Sequence, residues 1–241
     1  MNDSPQSSGI LYGVSVGPGD PELITLKGLN ILKKAPVVAF PAGIRGKSGI
    51  AEKIISPWLN SQQIQLPLNF PYVQDETTLT EAWQLAAQQV GEYLAQGKDV
   101  AFACEGDVSF YSTFTYLAQT LQEIRPQLKV EAIPGVCSPL AAVASLGIPL
   151  TMREQRLAVL PALYTMSELE KTLDQADVVV LMKVSSVYSQ VWQLLQQRDL
   201  LENAYVVEWA THPQQQIYAG LSDRPNLQLS YFSLMIVQGI R

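Results

Sequence analysis

Short apolar runs alternate along the chain with longer stretches whose apolar residues recur at helical spacing. Ile10 to Val16 (ILYGVSV) reads as a buried strand that ends at Gly17-Pro18-Gly19-Asp20. A helix is expected next: Asp20 suits its N-cap, Pro21 its first turn, and Leu23, Ile24, Leu26 and Leu29 repeat at helical intervals. Lys33 and Lys34 sit where cations favour a helix C-terminus. Ala35 to Phe40 is a second buried strand, and Gly49 to Leu59 a helix bent or stopped near Pro57. Thr80 to Gln96 carries Trp83, Ala87, Val90 and Leu94 on one face, with Gly97 as its stop. Val100 to Cys104 is a strand and Ser112 to Ile124 a helix. Strands alternating with helices imply a mostly parallel sheet covered on both faces.

A break at Arg125-Pro126-Gln127 suggests a second series. Val130 to Ile133 precedes the turn Pro134-Gly135, and a helix is expected from about Ser138 to Ser145. Arg156 to Leu160, Val178 to Met182, Ala204 to Trp209 and Tyr231 to Val237 read as further strands, with a helix at Val187 to Gln197. The expected organisation is two α/β domains, 1–127 with a mostly parallel sheet and 128–241 completing the fold. No internal repeat or low-complexity tract interrupts them.

Composition agrees with a folded chain. Of 241 residues, 47% are hydrophobic and 16% charged, enough apolar material for a real core. The net charge of -6 argues against a nucleic-acid backbone as partner, although not against an anionic ligand in a locally basic pocket. Cys104 and Cys137 form no C-x-x-C and His212 is the only histidine, so no metal cluster is legible. The start, MNDSPQSSG, lacks the basic-then-apolar pattern of a signal peptide, and no apolar run approaches the ~18 residues of a membrane span. A cytoplasmic protein without a membrane partner is the expectation.

Gly13, Gly17 and Gly19 lie between strand and helix, yet their G-x-x-x-G-x-G spacing is not the dinucleotide fingerprint. No G-K-[ST] follows, and Asp20 occupies the helix start that a phosphate would want. This turn suits a ligand without phosphates; taken alone it is as readily an ordinary capped turn. A second turn, Cys104-Glu105-Gly106-Asp107, follows another strand, and ligands gather at the carboxyl ends of strands in such sheets. Its carboxylates suit a cationic ligand, although Glu105 and Asp107 alone would more commonly be solvated turn residues.

Taken together, VSVGPGDPELITL (14–26), EGDVSFYSTFTY (105–116) and IPGVCS (133–138) resemble the tetrapyrrole methylase family. The likeness continues through LTMREQRLAVLP (150–161), VVVLMK (178–183) and EWATHPQQ (208–215) to YFSLMIV (231–237). Within the family, GPGDPELITLKG and EGD-x-x-FYSTF-x-YL look most like the branch that methylates precorrin-2 at carbon 20. Val108 stands where the family usually has proline, a change expected to alter loop stiffness rather than abolish binding.

The resemblance implies a mixed sheet in the second domain and S-adenosylmethionine in a cleft between the domains, with S-adenosylhomocysteine as product. It carries cofactor contacts onto Pro18, Glu105, Gly106, Asp107, Phe110, Ser112, Thr113, Cys137, Ser138, Met182, Ala210 and Thr211. A carboxylate-rich tetrapyrrole calls for cations, for which Arg45, Lys47 and Arg153 are candidates and Arg156 a further one. Methyl transfer needs alignment more than acid–base machinery, and orientation supplies on the order of 7–11 kcal/mol for well-held reactants. Glu105 and Tyr111 are the candidates to take up a proton afterwards, and a homodimer is the family expectation. Other members of the family remain open, as do a nicotinamide oxidoreductase and a tetrapyrrole binder without activity.

Overall fold

Apolar strands such as Val37–Pro41 and Val100–Cys104 can be buried on both faces only if helices cover both sides, and that is the arrangement found. The computed structural model describes residues 8–43, 47–71, 73, 75–161 and 165–240. Its first compact unit runs to Cys137 and its second begins at Ser138.

In the first unit the strands are β1 (Leu11–Ser15), β2 (Val37–Pro41), β3 (Ile64–Leu68), β4 (Val100–Cys104) and β5 (Val130–Ile133). They pair in parallel, in the order β3-β2-β4-β1-β5. The helices are α1 (Leu26–Lys34), α2 (Ile50–Ile55), α3 (Glu76–Ala95) and α4 (Thr113–Ile124). Leu11, Val37, Ala39 and Phe102 pack on one face with Val90, Leu94, Leu117 and Leu121 of α3 and α4. Val14, Val38, Phe40 and Ala103 pack on the other with Leu32, Ile54 and Ile55 of α1 and α2. This two-sided burial explains why the strands read as continuous apolar runs rather than alternating ones.

Gly13 of β1 is a packing glycine, not part of a ligand turn. A Cβ there would stand 2.4 Å from the Phe114 ring, which α4 lays across the strand. The chain after the first turn also departs from the expected single helix. Asp20 caps only a 3-10 turn at Pro21–Leu23, accepting from the Glu22 N–H at 2.8 Å, and Ile24 is extended. α1 starts afresh with Thr25 as its cap, whose hydroxyl accepts from Gly28 at 3.1 Å.

The second unit contains α5 (Ser138–Leu146), β6 (Leu157–Leu160), α6 (Met166–Gln175), β7 (Val178–Met182), α7 (Tyr188–Gln197), β8 (Ala204–Glu208), β9 (Gln216–Ala219) and β10 (Ser233–Val237). The sheet is mixed, as expected, in the order β6-β7-β10-β8-β9, with β6 and β7 parallel and the other pairs antiparallel. Leu169 and Leu173 of α6 and Val191 and Leu195 of α7 cover Val179, Leu181, Val206 and Met235 on one face. The expected boundary near residue 127 falls before β5, which pairs with β1 and so stays in the first unit. No helix among the described residues is long and apolar enough to cross a membrane.

The contact between Gly13 and Phe114 makes a testable demand. Gly13→Ala should cost about 1–3 kcal/mol in urea unfolding, because the added methyl has no room. Adding Phe114→Leu should cost less than the sum of the two single changes; full additivity would contradict the packing role.

Candidate functional site

At the carboxyl ends of β1, β4 and β5 three turns are tied together inside the first unit. The first two are joined by backbone: Gly17 N–H donates to the Gly106 carbonyl at 3.2 Å, and Gly106 N–H to the Gly17 carbonyl at 2.9 Å. Both glycines have positive φ, 76° and 71°, where side chains are strained. Nothing lies within 4 Å of where a Gly106 Cβ would stand, so this part of the turn is open to a ligand's approach.

Asp107 supplies the link to the third turn. Its Oδ2 accepts from the Gly135 N–H at 2.6 Å and lies 3.5 Å from Ser15 Oγ, while Oδ1 accepts from the Ser109 N–H at 2.8 Å. Ser15 Oγ donates to the Ile133 carbonyl at 2.7 Å and accepts from the Val108 N–H at 2.9 Å. Burial pushes the Asp107 carboxyl up, but hydrogen bonds from Ser109 and Gly135 outweigh it and hold the group below the ordinary carboxylate value. Glu105 behaves oppositely: burial alone pushes its carboxyl from 4.5 to about 7. It retains partial exposure, so it is crowded by protein without being sealed from water.

The residues after Asp107 start α4. Ser112 is its N-cap, with Oγ accepting from the Phe114 N–H at 3.0 Å and lying 2.8 Å from Cys104 Sγ; Thr113 is the first helical residue. Burial pushes the Cys104 thiol up to about 11, so it stays protonated at neutral pH. Phe110 meets Tyr111 edge to face at 4.8 Å, and Tyr111 is exposed with φ of 52°. Pro18 is buried in the first turn, and the half-buried Cys137 closes the unit two residues beyond Gly135. The structure therefore gathers Pro18, Glu105, Gly106, Asp107 and the Gly135–Cys137 turn at one end of one sheet.

The remaining candidates belong to the second unit, except Lys47 and Arg45. Ser138 opens α5. Met182 ends β7 opposite Leu234, and Glu208 ends β8 opposite Ser233, so β10 brings the Met182 and Ala210–Thr211 segments to the same end of that sheet. Lys183, Trp209 and Thr211 all have positive φ, at 55°, 53° and 64°. For a β-branched threonine this is a costly conformation, and the Thr211 N–H is fixed by donation to Gln215 Oε1 at 2.6 Å. Ala210 is buried. Arg153 is exposed with φ of 49°, and Arg156 is engaged by Asp177 at 3.5 Å. Lys47 is exposed, whereas Arg45 lies outside the described residues. No group of three potential metal ligands occurs among the described residues.

Sequence reasoning passed over Ser15 and Gly135. A signal for Ser15 existed, namely a lone hydroxyl inside an apolar strand, because a buried polar group must find partners. Gly135 was read as a turn residue, but a Cβ there would lie 2.4 Å from Ser15 Cβ.

A family model for tetrapyrrole (corrin/porphyrin) methylases matches residues 10–224. The cobalt-precorrin-2 C(20)-methyltransferase of Salmonella typhimurium is 34% identical, with 95% of this chain and 96% of that protein covered. The cobalamin biosynthesis protein CobIJ of Mycobacterium bovis is 33% identical over 97% of this chain, which spans only 46% of that protein's length. Among solved structures, the uroporphyrin-III C-methyltransferase of Thermus thermophilus, complexed with S-adenosylhomocysteine, shares the fold. Its TM-score is 0.69 at 23% identity, with 96% of this chain and 98% of that chain covered.

The opposed carboxylates give opposite pH signatures. Asp107 is depressed, so its contribution to stability is present above the ordinary carboxylate value and is lost as pH falls through its folded value. Asp107→Asn should therefore lose about 1.5–3 kcal/mol at neutral pH, and the gap from wild type should narrow in acid unfolding. Glu105 is raised, so its contribution is present below the ordinary value and lost as pH rises through about 7. Glu105→Gln should be more stable than wild type at pH ~8, by at most about 3 kcal/mol, and nearly equal at pH ~4. Urea midpoints that differ equally at both pH values would contradict the assignment.

Proposed function

Since the chain belongs to the tetrapyrrole (corrin/porphyrin) methylase family, we propose that it methylates carbon 20 of precorrin-2, metal-free or carrying cobalt, with S-adenosylmethionine as donor. The observation that carries this reading is the pair of turns joined at Gly17 and Gly106, open on the Gly106 side and flanked by Glu105 and Asp107. Such a pair of carboxylates fits a cationic ligand and repels a phosphorylated one. The 34% identity to a relative named for carbon 20 supports the choice of substrate and position, and the shared fold with an S-adenosylhomocysteine complex supports the choice of cofactor.

When bound, S-adenosylmethionine supplies an electrophilic methyl on a positively charged sulfur. The chain's own task is to hold and orient. Asp107 has its oxygens committed to Gly135 and Ser109, so it fixes the turn and lends negative charge instead of rotating onto a ligand. The backbone around Gly106 offers the unobstructed approach, and Pro18, Phe110, Ser112, Thr113, Cys137 and Ser138 are proposed as further cofactor contacts. Met182, Ala210 and Thr211 are the contacts proposed from the second unit. Glu105, with its carboxyl near 7, exchanges protons readily at neutral pH and is proposed to take up a ring proton after transfer, with Tyr111 as the alternative. Arg45, Lys47 and Arg153 are proposed for the substrate's peripheral carboxylates; Arg156, occupied by Asp177, is the weaker candidate. The working form is proposed to be a cytoplasmic homodimer.

Incubation with methyl-labelled S-adenosylmethionine and precorrin-2, with and without cobalt, tests the reading by mass spectrometry and NMR. One added methyl, located at carbon 20, is the expected outcome. A substrate of unchanged mass in both reactions, or a label on another ring carbon, would overturn it.

A further inference from the structure

We infer that Ser15, which touches no ligand itself, is the positioning residue that sets the spacing of the three turns and so shapes the cofactor site. The inference rests on the proposed cofactor. Ser15 is fully buried at the end of β1, with β4 on one side and β5 on the other. Its hydroxyl spends its proton on the Ile133 carbonyl at 2.7 Å and receives the Val108 N–H at 2.9 Å. These bonds hold together residues 118 and 93 positions apart in the chain. The loop is closed by Asp107, whose Oδ2 takes the Gly135 N–H at 2.6 Å. Gly135 in turn rests against Ser15 itself, since a Cβ at 135 would stand 2.4 Å from Ser15 Cβ.

The ring Ser15–Val108–Asp107–Gly135–Ile133 therefore has one polar side chain at each of two corners and no slack at the third. The bond from Val108 is specific to a residue with an N–H. A proline at 108 would stiffen φ but could donate nothing, so in this chain the turn is restrained by hydrogen bonding to Ser15. Removing the hydroxyl leaves the buried Val108 N–H without its acceptor and frees the Glu105–Asp107 turn to shift against Gly135. Because Ser15 has no exposed surface, any effect on a ligand must pass through that turn.

The test measures S-adenosylhomocysteine binding by calorimetry, together with hydrogen exchange of residues 105–108 and 133–137. Ser15→Ala should weaken binding roughly ten- to a hundredfold, a size consistent with a lost buried hydrogen bond, and should speed exchange in both segments. Ser15→Cys, of nearly the same shape but with a weaker donor and acceptor, should fall between Ala and wild type. Val191→Ala, in the core of the second unit, controls for general loss of stability and should leave affinity unchanged. Wild-type affinity in a folded but destabilised Ser15→Ala protein would make Ser15 merely structural and overturn the inference. Should the Ala variant not fold, the Cys variant decides by the same criteria: unchanged affinity and exchange reject the role. Absence of binding by the wild-type protein would instead refute the cofactor reading, and this inference with it.

Discussion

A buried carboxylate that accepts from the Ser109 amide of its own turn and from the Gly135 amide of another segment is the constraint on which the candidate site depends. Asp107 cannot remain ionised in a buried position without those donors, and Gly135 cannot reach it unless the turns after β4 and β5 end at the same place. The glycines follow from this requirement. Gly17 and Gly106 adopt positive φ to exchange hydrogen bonds across the first two turns, and Gly135 omits a Cβ so that the third can press against Ser15. The parallel sheet brings the ends of β1, β4 and β5 side by side, and the polar ring fixes how they meet.

Backbone strain marks the second unit in a comparable way. Of the non-glycine residues with positive φ in this unit, Arg153, Lys183, Trp209 and Thr211 fall in segments that carry the family likeness, as Tyr111 does in the first unit, and Asp199, two residues past α7, does not. Conformations that cost energy persist where surrounding bonds dictate them, as the Gln215 side chain does for Thr211. The Met182 and Thr211 segments are thus held in shape by the sheet end and by local hydrogen bonds. The same features serve a ligand site better than a flexible loop would, because pre-ordered contacts cost less to form.

How far the sequence could be read depended on burial. β2, β4, β7 and β10 were legible because both their faces are buried and their residues form unbroken apolar runs. β3 and β9 were not foreseen: both are edge strands with largely exposed side chains, and Pro67 in β3 is tolerated only because an edge has spare positions. α6 buries little beyond Leu169 and Leu173, although Thr165 and Glu168 spell a capping pattern that would have revealed it. The helix expected from Asp20 breaks because Ile24 turns inward to the core, a tertiary demand that overrides local periodicity. In the site, the two acidic turns were legible as segments. Their closure through Ser15 was not, since it joins residues too far apart for any local pattern to record. Val108 shows the same limit: as a departure from the family's proline it suggested an altered loop stiffness, and the use of its N–H by Ser15 was not legible.

The most direct test of the account is a crystal structure of the chain with S-adenosylhomocysteine. The account requires the ligand against the backbone of residues 105–107, with the Asp107 carboxylate still bonded to the Gly135 amide. A ligand bound remote from these turns, or an Asp107 side chain that has released Gly135 to grasp it, would contradict the central claim.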